Sequence, residues 1–250
     1  ELPLAAPLAP ADTVQADLIF TLNVPTTPGR LSRSARGVTL GYWFPLLTVH
    51  RGDWDRRQFV DVGDATFSEV ADFEVTIATS APSTVVASGE RTEQDGRQSR
   101  FVGKSVRDFA AAISSEYTLR RTRIGDLTLE VAAFGDERAA YYLRRGADFL
   151  TWASGKFGPL PYATVTVADA DLPSSYGGLE YPAIILLSGA YGLPANPTAS
   201  RRTRMGSSAA TLSPTLRNHF ATVASVTDSP SVGTRISTAI DRSPLSFPSP

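Results

Sequence analysis

Residues 73–79, Phe-Glu-Val-Thr-Ile-Ala-Thr, place an apolar side chain at every second position. That is the period of a strand with one face in a core and the other in water. Short β-branched and aromatic runs recur at 16–24, 37–43, 84–89, 99–106, 109–117 and 127–134, each bounded by Gly, Pro, Asp or Ser. A series of such strands separated by turn signals predicts an antiparallel β-sandwich. The period changes at Asp136. Ala139, Tyr142, Leu143, Ala147, Phe149, Leu150 and Ala153 are spaced mostly by three and four, which predicts an amphipathic helix. Asp136 and Glu137 suit its positive N-terminal end, and Gly155, Gly158 and Pro159 offer its stop. Residues 164–167 then read as a strand, and the apolar run 183–187 after Pro182 as another, so a mixed α/β unit begins here. From Asn196 onward Ser, Thr and Pro dominate, Glu and Lys are absent, and no period of 2 or 3.6 is read.

The pattern therefore divides the chain into an N-terminal β domain (1–124), the first part of an α/β domain (125–195) and a Ser/Thr/Pro-rich tail (196–250). The expected fold class is mainly β. The tail is expected to be disordered, or the product of a frame-shifted message, because too little apolar surface is patterned to offset the entropy of ordering it. One codon choice for 232–242, shifted by two nucleotides, encodes G-N-E-D-Q-H-R-D-R-P.

Composition changes this picture little. A formal net charge of −1 over 250 residues carries no basic field, so nucleic acid is not an expected partner. With no cysteine there is no disulfide framework and no thiol nucleophile, and the compartment stays open. No run approaches the roughly 20 apolar residues of a membrane-spanning helix. The acidic group Glu69, Asp72 and Glu74 lacks the spacing of a calcium loop, and Arg120-Arg121 and Arg144-Arg145 read as solvated faces. Asp169 and Asp171, two apart on an extended segment, point the same way, are expected to face solvent and receive no role.

The chemistry concentrates in Ser175-Tyr176-Gly177-Gly178-Leu179-Glu180-Tyr181-Pro182. A fixed carboxylate at Glu180 could accept charge-assisted hydrogen bonds from a peptide's α-ammonium group. Gly177 and Gly178, lacking Cβ atoms, would let a peptide backbone approach, and the following apolar strand offers an edge for an added strand. On the residues alone, a Gly-Gly turn beside a surface glutamate is the simpler reading.

The surrounding residues reverse that preference. Phe157-Gly158-Pro159-Leu160-Pro161-Tyr162 followed by the strand at 164–167 and then Gly177-Gly178-Leu179-Glu180-Tyr181 resembles, in order, the aminopeptidase N family of zinc peptidases (gluzincins). Upstream, Gly41-Tyr42-Trp43-Phe44-Pro45, Ala71-Asp72-Phe73-Glu74-Val75 and Arg107-Asp108-Phe109-Ala110 resemble that family's N-terminal β domain. The resemblance runs from about residue 16 to 187. It implies that 125–195 opens a thermolysin-like catalytic domain and that Gly177, Gly178, Leu179 and Glu180 bind the N-terminus of a peptide substrate. Leu179 stands where the family usually has Met, a volume-conserving exchange.

The resemblance also implies a zinc held by H-E-x-x-H and a further Glu, with water for attack in the complete family member. The chain contains no H-E-x-x-H, and its two histidines, His50 and His219, have no partner at helical spacing. No metal ligand or catalytic residue is therefore assigned, and no zinc is expected on this chain. Two functions follow as expectations: a fragment of a zinc aminopeptidase that is inactive alone, or a non-catalytic peptide- or protein-binding β module.

Overall fold

A computed structural model describes residues 7, 13–50, 52–56, 67–173, 175–188, 217–226 and 231–241. The described chain is mainly β, with a single helix among these residues, and its strands form three sheets.

The six-stranded sheet has the order β1-β15-β14-β4-β7-β6. Its members are β1 (Thr13–Asn23), β4 (Ala71–Thr79), β6 (Glu90–Asp95), β7 (Gln98–Val106), β14 (Arg217–Val226) and β15 (Ser231–Asp241). The four-stranded sheet, ordered β2-β3-β8-β5, comprises β2 (Leu31–Arg33), β3 (Val38–Leu40), β5 (Thr84–Ala87) and β8 (Ala111–Ser114). The five-stranded sheet, ordered β12-β13-β11-β10-β9, comprises β9 (Tyr117–Ile124), β10 (Leu127–Phe134), β11 (Thr164–Ala170), β12 (Gly178–Tyr181) and β13 (Ile184–Ser188). Here β10, β11 and β13 run parallel, and β9 and β12 are antiparallel at the two edges. Helix α1 (Asp136–Phe157) crosses between β10 and β11 and lies against β9 and β10.

Alternation along the strands assigns each side chain to a layer. In β4, Phe73, Val75 and Ile77 are buried while Glu74 is exposed, as the period-2 pattern predicts. They share one core with Leu40, Val85 and Ile113 of the four-stranded sheet and with Trp43, Phe44, Phe101 and Phe109. The opposite face of the four-stranded sheet, Val86, Ala110 and Ala112, meets Ala132, Ala168, Ala170, Ile184 and Leu186 of the five-stranded sheet. A third layer packs Leu129, Val131, Val165 and Val167 against Ala139 and Leu150 of α1. Gly146 sits at the closest approach of helix to sheet, where an added Cβ would lie 2.9 Å from Leu129 Cδ2.

Helix α1 begins with the acidic Asp136 and Glu137 and ends at Phe157. Gly158, at φ 92°, donates its N–H to the Ser154 carbonyl, and a positive φ at this cap favours glycine. The predicted stop at Gly155 lies inside the helix. Phe149 is 40% exposed, so the apolar stripe read from the sequence is wider than the face that packs.

The strand assignments also differ from the sequence reading in two places. Within the tail expected to be disordered, 217–226 and 231–241 are strands, inserted between β1 and β4. The reason lies in a local alternation that the Ser/Thr-rich composition conceals: Val232, Thr234, Ile236, Thr238 and Ile240 are β-branched and alternate with Gly233, Arg235, Ser237 and Ala239. Residues 196–216, 227–230 and 242–250 lie outside the described residues. The polar strand β6, Glu-Arg-Thr-Glu-Gln-Asp, is absent from the sequence reading because an edge strand made wholly of polar and charged residues has no apolar period.

Candidate functional site

The segment singled out by the sequence is the edge hairpin of the five-stranded sheet. Strand β12 turns through Pro182 and Ala183 into β13, with Tyr181 opposite Ile184. Proline presets φ at the first turn position, and Ala183 takes φ 60°, a conformation that costs a non-glycine residue about 1 kcal/mol. Register follows as Gly178 opposite Leu187, Leu179 opposite Leu186 and Glu180 opposite Ile185.

This register decides which backbone groups are available. Ser188 donates its N–H to the Gly177 carbonyl at 3.1 Å. In an antiparallel ladder hydrogen-bonded pairs alternate, so Leu179 and Tyr181 direct their N–H and C=O groups at β13. Gly178 and Glu180 direct theirs the other way. Among the described residues no strand pairs with that outer edge.

Side chains alternate as well. Leu179 and Tyr181 pack into the layer shared with the four-stranded sheet. Glu180 takes the opposite face and is exposed, and Gly177 is exposed with open space where a Cβ would be. Gly178 is crowded, since a Cβ there would lie 2.9 Å from the Leu186 carbonyl and 3.1 Å from Leu187 Cδ2. Of the four predicted residues, Gly178, Leu179 and Glu180 thus lie on β12 and Gly177 immediately precedes it. The two glycines do different things: one leaves room on the outside, and the other permits close packing inside.

Two buried carboxylates were not read as sites from the sequence. Asp169, expected to face solvent, is fully buried near the carboxyl end of β11, on the face covered by α1. It accepts the Phe134 N–H at 2.8 Å and the Tyr142 hydroxyl at 3.1 Å, with Arg138 Nε 3.6 Å away. Burial pushes its carboxyl above the usual carboxylate range, against the opposing pull of the Phe134 N–H, Arg138 and Tyr142. Burial and the Asp169 charge push the Tyr142 hydroxyl up to about 12. These three partners of the Asp169 carboxylate belong to the first turns of α1 and the end of β10, so the group locks the helix start to the sheet. Nothing in an alternating Ala-Asp-Ala-Asp run marks one of two aspartates as buried.

Glu130, also buried, sits between Arg91 of β6, at 3.2 Å, and Arg121 of β9. Arg121 is therefore an ion-pair partner and not only part of a solvated face, while its neighbour Arg120 pairs with Asp136. With Thr128, Thr164 and Thr166, these groups line a cleft of about 370 Å³ between β6 of the six-stranded sheet and the five-stranded sheet. Paired charges of both signs make it a structural polar seam.

Among the described residues the implied zinc finds no fitting set of ligands. His50 lies in the segment after β3, its ring 4.9 Å from that of Trp54, and His219 lies on β14 opposite Asp72. Neither histidine is on the helix or the sheet that carries Glu180. Among the described residues no three His, Asp or Glu side chains form a metal-binding group. Also among them, no helix is long and apolar enough to cross a membrane. Neither a protein-family model nor a curated protein matches the chain.

Proposed function

We propose that this chain is the N-terminal part of a zinc aminopeptidase of the aminopeptidase N type, carrying the subsite for a peptide's N-terminus and not the metal. In this reading the four-stranded sheet and the strands β1, β4, β6 and β7 of the six-stranded sheet form the N-terminal β-sandwich, to which β14 and β15 add. The five-stranded sheet with α1 is the opening layer of a thermolysin-like domain. The observation that carries the proposal is the coincidence of three features on β12: an unpaired edge among the described residues, an exposed carboxylate at Glu180, and backbone groups of Gly178 and Glu180 directed outward. A peptide laid antiparallel along that edge gains main-chain hydrogen bonds, and its terminal ammonium can reach the carboxylate. A second reading is favoured by the mismatch with zinc: the same edge serves a non-catalytic module that holds a peptide terminus or partner strand without cleaving it.

Binding of a short free-amine peptide and of its N-acetylated analogue tests the shared part of both readings. Because Glu180 is exposed, its pairing with an ammonium is worth about 1 kcal/mol, roughly fivefold in affinity. Glu180→Ala should weaken the free-amine peptide by that factor and leave the acetylated one unchanged. Equal affinities of parent and variant for the free-amine peptide would remove Glu180 from the site. Aminoacyl anilide hydrolysis with stoichiometric zinc after dialysis would show that a metal site had been missed.

A further inference from the structure

The hairpin that carries Glu180 is a weak element by itself. Strand β12 has four residues and one neighbour, and a slip of one residue against β13 would carry Glu180 to the inner face and Tyr181 to the outer one. Something outside the sheet holds it, and the geometry identifies what.

Tyr181 reaches across to the corner where the chain leaves β3. At Gly41 an added Cβ would overlap the Tyr181 hydroxyl and come within 2.9 Å of its Cζ and 3.0 Å of the Arg30 carbonyl. The absent side chain is thus the space that the tyrosine fills. The corner is itself fixed by the Gly41 N–H donating to the Arg30 carbonyl at 2.8 Å. Tyr42 follows at φ 52°, a left-handed conformation unusual for an aromatic residue. It turns the Tyr42 ring edge-on to Tyr181, with centroids 6.0 Å apart. Arg30 holds Tyr42 from behind, donating from Nη1 to its hydroxyl at 3.0 Å, with the guanidinium 5.3 Å from the ring centroid. Strain of this kind persists only where surrounding structure over-determines it.

We propose that Gly41 and Tyr42 form a socket for Tyr181 that sets the register of β12, so that the first β layer positions the adjacent Glu180 for the peptide's ammonium group. Glu180 is the residue that would touch the ligand. Gly41, Tyr42 and Tyr181 are positioning residues, and their role rests on the peptide-terminus reading above. The consequence is that the two sheet systems form one working unit: a change in the N-terminal layer alters binding at an edge belonging to the other.

The test uses the full chain as parent, Gly41→Ala, Tyr181→Phe and the double variant. Gly41 has no left-handed backbone to lose, and the atoms an alanine Cβ meets first are the far end of a side chain, so Gly41→Ala expels the ring without unfolding the core. Two quantities are read: amide hydrogen exchange at Leu179 and Tyr181, and the ratio of affinities for tetraalanine amide with a free amino terminus and its N-acetylated analogue. Gly41→Ala should speed exchange at both amides about tenfold and reduce the roughly fivefold amine preference to near one. Tyr181→Phe, which removes the atom nearest the new methyl group, should change little alone and restore at least half of both effects in the double variant.

Unchanged exchange in Gly41→Ala would overturn the socket. Faster exchange with the amine preference intact would overturn the positioning role, leaving a merely structural contact. A parent without amine preference would overturn the peptide reading and the positioning role together, and the exchange data would still report separately on the socket.

Discussion

The two faces of the four-stranded sheet are packed in opposite ways. Toward the six-stranded sheet the contacts are aromatic: Trp43, Phe73, Phe101 and Phe109 fill the space, and Trp43 donates its indole N–H to the Phe109 carbonyl at 2.9 Å. Toward the five-stranded sheet they are small, with Ala110 and Ala112 facing Ala132, Ala168 and Ala170. The first layer is stabilised by volume, since each buried ring removes a large apolar area from water. The second is stabilised by closeness. Val86, Ile184 and Leu186 fill the rest of that layer, and beside it lies a polar seam where Glu130 is held by two arginines. A layer filled by large rings is sensitive to deletion, and a layer of close-set alanines is sensitive to addition and to loss of charge pairing.

That contrast can be broken from either side. The largest effect is expected from Phe109→Ala, which empties a fully buried site touched by Phe73 and Phe101 and should cost about 4 kcal/mol in chemical denaturation. Next is Glu130→Ala, which leaves Arg91 largely buried without its carboxylate. About 3 kcal/mol is expected, and Glu130→Gln should recover part of it. Ala112→Leu adds bulk where two sheets approach and should cost about 2 kcal/mol, whereas the same enlargement at an exposed strand position would be nearly neutral.

The smallest effect is pH-dependent and belongs to the third layer. Because the Asp169 carboxyl is raised in the folded chain, the native state binds its proton more tightly than the unfolded state does. The stability this supplies is complete below the unfolded value near 3.8 and is lost as pH rises through the native value. Stability of the parent relative to Asp169→Asn should therefore decline as pH rises above about 4. A difference that grew with pH would show the carboxylate to be stabilised by its donors beyond the cost of burial.

The aromatic layer was legible in the sequence and the alanine layer was not. Phe73, Val75 and Ile77 announce a strand by alternation, and the helix announces itself by the spacing from Ala139 to Leu150. Alanine carries little signal in either period, so the layer that Ala112, Ala168 and Ala170 share could not be read. Strands β14 and β15 were hidden for a related reason: their alternation sets β-branched residues against small polar ones, and low apolar content masked it. The hairpin of the candidate site was singled out through the residues around it, since two glycines and a glutamate alone read more simply as a turn beside a surface carboxylate. Its register was not legible, since pairing with β13 and the Tyr181 contact at Gly41 are long-range facts. Asp169 was misread because side-chain direction on an extended run does not reveal what covers it.

The central claim is that the outer edge of β12 accepts a peptide terminus, and the backbone of that edge reports on it directly. Amide hydrogen exchange should be followed residue by residue with and without saturating tetraalanine amide. The N–H groups of Gly178 and Glu180, directed away from β13, should exchange freely in the unbound chain and become protected at least about tenfold on binding. Those of Leu179 and Tyr181, already bonded to β13, should change far less. Protection of Gly178 and Glu180 that is weakened by N-acetylation of the peptide is the predicted result, and exchange at these two amides that stays unchanged at saturating peptide would contradict the account.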